Sequence, residues 1–103
     1  MKKISLNLKE ILEYQQNRNP YLFIDYATEV IPGVSSKGYK DLKNDEWFFK
    51  VHWPNDPNMP GMLQVETIVQ TCALSILTLP GNKGKVVYLT SANNIKFLKK
   101  ILP

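Results

Sequence analysis

Three residues in one short stretch carry groups suited to acid–base chemistry: His52, Gly61 and Glu66. An imidazole titrates near neutrality and can take up a proton. A glycine in the first turn of a helix offers a backbone N–H without an intrahelical acceptor, at the positive end of the helix dipole. Such a donor can hydrogen-bond a carbonyl oxygen that is gaining negative charge, as in an enolising thioester. Glu66 is the only charged residue between Met62 and Leu79, and an apolar surround there favours the protonated carboxyl. A base, an oxyanion donor and a neutral acid are the parts needed to eliminate water from a 3-hydroxyacyl thioester.

Each of these residues also has a plain structural reading. A lone His beside Trp53 and prolines is commonly a packed or hydrogen-bonded loop residue, and a lone Glu in a helix commonly sits at a water-lined edge. Gly61 can serve only to let other groups approach the helix start closely. Gln70, one turn after Glu66 on the same face, either lines a cleft or hydrogen-bonds a neighbouring backbone group. Cys72 falls about 240° round the helix from Glu66 at ~3.6 residues per turn, and reads as an inert core cysteine.

The elements that must position these groups follow from the punctuation of the chain. Pro54, Pro57 and Pro60 fix three φ angles and remove three N–H donors, so residues 51–59 read as a rigid loop. From Met62 to Leu79 there is neither Pro nor Gly, and Pro80-Gly81 closes the run. This predicts a helix about 27 Å long at a rise of ~1.5 Å per residue, apolar nearly all round and hence buried on most sides. Upstream, Asn7 and Glu10 have the spacing of a capping box for a short helix from Leu8 to Gln16, ended by Asn17–Pro20. Tyr21–Ile31 is rich in aromatic and β-branched residues and reads as a strand; Pro32-Gly33 is a turn, and Val34–Leu42 returns as a second strand. Residues 43–46 form a loop, and Trp47, Phe48 and Phe49 pack ahead of the proline-rich loop. Two further strands are predicted, Lys85–Thr90 and Ile95–Ile101. Strands segregated from one buried helix indicate an α+β layer fold with an antiparallel sheet around that helix.

Composition narrows the function classes. With 103 residues, 44% of them hydrophobic and 21% charged, the chain fits one ordinary globular domain. The Met62–Leu79 run approaches the ~20 apolar residues of a membrane span, but Glu66 and six interspersed polar residues argue against lipid. The first ten residues contain no apolar core of a signal peptide, so the expected compartment is the cytoplasm. One His and one Cys make a protein-built zinc site improbable and exclude an internal disulfide. The net charge of +4 favours an acidic partner, while no motif or aromatic interleaving points to nucleic acid.

The segment His-Trp-Pro-Asn-Asp-Pro-Asn-Met-Pro-Gly-Met-Leu-Gln-Val-Glu, residues 52–66, resembles the active-site segment of the (3R)-hydroxyacyl-acyl-carrier-protein dehydratases of fatty acid synthesis. Their motif is roughly His-Phe-Pro-Gly-x-Pro-x-Met-Pro-Gly-x-Leu-x-x-Glu. The resemblance extends to residues 19–25, to 31–33, to 45–49 and to 95–103. It implies a hot-dog fold, with His52 and Glu66 catalytic and the Gly61 amide holding the thioester carbonyl. Trp53, Met59, Pro60, Met62 and Gln70 would line the substrate path. It also implies a homodimer with sites shared between subunits, a possible trimer of dimers, and acyl carrier protein as partner. No metal or redox cofactor is expected, since the phosphopantetheine arm arrives with the substrate. Departures occur at Val51, Trp53, Asn55, Asn58 and Thr67. The family chain normally runs on past its Leu-Pro with two more strands, so residues 1–103 are expected to be a single hot-dog domain shortened at its C-terminus. The rival readings are an acyl-thioester hydrolase on the same fold and a non-catalytic module that binds acyl carrier protein.

Overall fold

The computed structural model describes residues 2–103. Its elements are β1 (Ile4–Leu6), α1 (Leu8–Tyr14), β2 (Tyr26–Ile31), β3 (Ser35–Tyr39), α2 (Trp47–Val51) and α3 (Gly61–Leu77). The three strands form one antiparallel sheet in the order β1-β2-β3, which packs against α3.

The start of α1 is as the spacing predicts. Asn7 Oδ1 accepts from Glu10 N–H at 2.9 Å while Glu10 Oε1 accepts from Asn7 N–H at 3.1 Å, so two otherwise orphaned donors are satisfied reciprocally. Ile11 is buried and anchors the helix in a core of Leu6, Leu22, Ile24, Ala27, Val30 and Leu74.

The strand predicted from Tyr21 forms only from Tyr26 onward. Leu22, Phe23 and Ile24 are all buried, and three consecutive inward residues are incompatible with a pleat that alternates faces. The main chain there bonds instead to a side chain of α3: Phe23 N–H donates to Gln70 Oε1 at 2.8 Å and Tyr21 O accepts from Gln70 Nε2 at 3.0 Å. Within β2 the register shifts between Ala27 and Glu29. Thr28 is the extra residue of a bulge, which lets Ala27 and Val30, three positions apart, both face the core. The Pro32-Gly33 turn has Gly33 at φ +77°, a conformation suited to glycine, and Gly33 N–H is tied to Ser75 O at 2.7 Å. The returning strand ends at Tyr39 rather than Leu42, where Lys40 turns inward to Glu46, 2.9 Å, and Asp25, 3.7 Å.

Helix α3 spans 17 residues and opens at the predicted Pro60-Gly61 step. Pro60 O accepts from Leu63 and Gln64 N–H at 3.0 and 3.1 Å, and Gln64 Nε2 bonds Met59 O at 3.0 Å. The burial expected on most sides leaves one strip of the helix open. Leu63, Val65, Gln70, Ala73, Leu74 and Leu77 are buried, but Met62 is 69% exposed, Ile68 62%, and Ile76 and Cys72 are also exposed. A three-stranded sheet covers one side of a helix, so the core placement of Cys72 is overturned along with that of its neighbours. The residues before the proline loop form the short helix α2, which turns Phe48 and Phe49 into a second core with Phe23, Met59 and Leu63.

The strands predicted at Lys85–Thr90 and Ile95–Ile101 do not form. Residues 85–100 are exposed throughout. A β-favouring sequence becomes a strand only when a neighbouring edge accepts its backbone groups. Near its ends the segment is tied by Gly84 N–H to Tyr14 O at 3.1 Å, Met59 N–H to Ile101 O at 2.8 Å, and Lys100 to Asp56 at 2.8 Å.

Candidate active site

His52 caps the C-terminus of α2, its N–H donating to Phe48 O at 2.9 Å. The proline-rich loop then folds back on it. Asn58 N–H donates to His52 O at 3.0 Å, and the imidazole Nδ1 lies 3.2 Å from Asn58 O. A carbonyl oxygen only accepts, so Nδ1 is the donor in this contact, which leaves Nε2 as the ring's one site for a lone pair. The ring is half-buried and meets Trp53 edge to face, centroids 5.5 Å apart. His52 is thus a hydrogen-bonded loop residue whose Nε2 is left free of the Asn58 contact.

Gly61 is the first residue of α3, where the helix geometry leaves its N–H without an intrahelical acceptor. Its missing side chain is also used in packing, because a Cβ there would stand 2.9 Å from the ring of Phe97. Glu66, less than two turns further along, is half-buried. Its Oε2 accepts from Gln70 Nε2 at 2.9 Å. Gln70 is only 2% exposed and spends every polar atom of its side chain, on Glu66, Tyr21 and Phe23. It lines a cleft and bonds backbone at once.

That cleft, about 190 Å³ in volume, is bounded by Gln15, Glu66, Val69, Gln70, Ala73 and Val86 among others. Its wall around Glu66 is amide-rich rather than purely apolar. His52 does not line it. Of the predicted lining residues only Gln70 reaches this cleft. Met59 is buried in the aromatic core and lines a separate apolar groove of about 250 Å³ with Leu42, Gln64, Thr67, Ile68 and Ile101. Pro60 is the half-buried cap of α3, whereas Trp53, 60% exposed, and Met62 point outward. Asn58 and Gln15 were not legible as site residues. Their roles depend on a loop closing back on itself and on the end of α1 meeting α3, and neither has a sequence spacing of its own.

Among the described residues no group of three or more His, Cys, Asp or Glu is placed to hold a metal ion, and no helix is long and apolar enough to cross a membrane.

The sequence pattern of the FabA-like domain matches residues 16–103. The chain is 39% identical over 100 residues to the 3-hydroxyacyl-(acyl-carrier-protein) dehydratase FabZ of Clostridium novyi (strain NT), covering 97% of this chain and 70% of that protein. It is 40% identical over 98 residues to the protein of the same name from Clostridium botulinum (strain Hall), covering 95% and 68%. The match includes the whole 52–66 segment.

Proposed function

Because this chain belongs to the FabA-like domain family, whose fold is the α+β hot-dog, we propose that it is a dehydratase. Its reaction is removal of water from (3R)-hydroxyacyl thioesters on acyl carrier protein, giving trans-2-enoyl thioesters for fatty acid or related acyl-chain synthesis. The observation that carries this reading is the contact between His52 Nδ1 and Asn58 O. A ring held at Nδ1 by Asn58 O, 3.2 Å away, offers Nε2 to the acidic proton beside a thioester carbonyl.

The proposed steps balance without metal or redox cofactor. His52 takes the α-proton, and the electron pair moves toward the thioester oxygen, held by the Gly61 amide. The double bond then forms as the 3-hydroxyl leaves with a proton from Glu66 in its acid form, and the product is water. In the reverse direction the same groups hydrate the enoyl thioester.

The cleft that Glu66 lines does not include His52, which supports a homodimer in which one subunit supplies the base and the other the acid. Assembly into a trimer of dimers would follow the same interface logic. Acyl carrier protein is acidic, and the net charge of +4 favours its approach. We place the enzyme in the cytoplasm with that partner.

The test is incubation with a 3-hydroxyacyl carrier protein. Loss of one water supports the assignment. Release of free thiol would make it a hydrolase, and binding without any product would make it a carrier-binding module.

A further inference from the structure

We infer that Gln15 is a positioning residue for the Glu66 carboxyl, acting through Gln70. This deepens the reading of Glu66 as the proton donor and rests on it.

Gln15 is the C-cap of α1 and is 2% exposed. Its Nε2 donates to the backbone carbonyl of Gln70, on the helix turn that follows Glu66. Because that acceptor is a carbonyl, the amide orientation is fixed: nitrogen toward α3, and oxygen elsewhere. The oxygen, Oε1, is buried and has no hydrogen-bond partner among the described residues.

An orphaned buried oxygen lowers stability. A methionine or leucine at position 15 would fill the same space without that cost. What an apolar side chain cannot supply is the donor to Gln70. The two ends of residues 15–23 thus close on one residue of α3. Gln15 grips the main chain of Gln70, while Tyr21 O and Phe23 N–H grip its side chain, at 3.0 and 2.8 Å. The second N–H of Gln70 is what holds Glu66 Oε2, at 2.9 Å. If Gln15 releases the main chain, the side-chain amide stays with Tyr21 and Phe23 while that turn of α3 loses one of its tethers to α1. Glu66 then loses its fixed orientation in the cleft that Gln15 and Gln70 share with it.

The test compares wild type with Gln15→Met and Gln15→Leu. The variants are expected to melt at or above the wild-type temperature, with kcat for dehydration down about tenfold or more, in keeping with the steep cost of misplacing a reacting group. KM should stay within about twofold, since a misplaced proton donor weakens the transition state rather than substrate binding. In a Glu66→Gln background, Gln15→Met should cause no further loss. Crystal structures of wild type and variant should show the Glu66–Gln70 bond kept in the first and lost in the second, a result that does not depend on the reaction. An active wild type matched in kcat by both apolar variants overturns the inference, as does a variant crystal structure that keeps that bond. If both apolar variants fail to fold, Gln15 serves the fold instead and the inference falls. A wild-type enzyme that dehydrates nothing brings down the proposed reaction, and the two crystal structures then decide the Gln15 contact separately.

Discussion

His52 and Asn58 are joined twice, through the main chain at 3.0 Å and through imidazole Nδ1 to carbonyl at 3.2 Å. The loop between them contains Pro54 and Pro57, so little chain entropy remains to be lost when it closes. The imidazole is therefore oriented by its own loop.

Replacing His52 with Ala should abolish dehydration and the reverse hydration alike, by roughly 10²–10⁴-fold for loss of a general base. Its side chain is half-buried at the edge of the loop, so the melting temperature should move little. Steady-state assays in both directions and a thermal melt check this.

Glu66→Gln keeps an oxygen for Gln70 to bond but has no proton to give. It should fold as wild type and lose activity by about 10²-fold or more. Circular dichroism and product analysis by mass spectrometry separate the two effects.

Mixing the two inactive variants after partial denaturation and refolding tests the shared site. A mixed dimer carries one site with both groups intact, so activity should return. Variants that remain inactive when mixed, under conditions where subunit exchange is demonstrated, would place the acid and base on one chain.

Gly38→Ala probes the contact of β3 with α3. A Cβ there would lie 2.9 Å from both Ile24 Cδ1 and Tyr26 O, and 3.2 Å from Thr71 Cγ2. Backbone cannot yield as a side-chain tip can, so a loss of about 1–3 kcal/mol is expected, read from urea unfolding.

What was legible in the sequence was whatever depends on near neighbours. The Asn7–Glu10 cap, the Pro32-Gly33 turn and the Pro60-Gly61 start of α3 are local chemistry, and the structure reproduces each. The segment from His52 to Glu66 was legible as a whole, and with it the family. What failed depends on distant partners. Residues 21–24 have strand-like composition, but Gln70, far along the chain, takes the backbone bonds of Tyr21 O and Phe23 N–H. Lys85–Ile101 has the residues of strands but pairs with neither edge of the sheet. Cys72 sits in an apolar run yet is exposed, because a helix hydrophobic on nearly every side does not reveal which side the sheet will cover. The bulge at Thr28 and the Gln15–Gln70 contact leave no periodic trace at all.

The most direct measurement is mass spectrometry of a 3-hydroxyacyl carrier protein before and after incubation with the purified protein, with His52→Ala beside it. The account predicts an acyl group lighter by one water with the wild type and an unchanged mass with the variant. An unchanged mass in both, or equal loss of water in both, would contradict it.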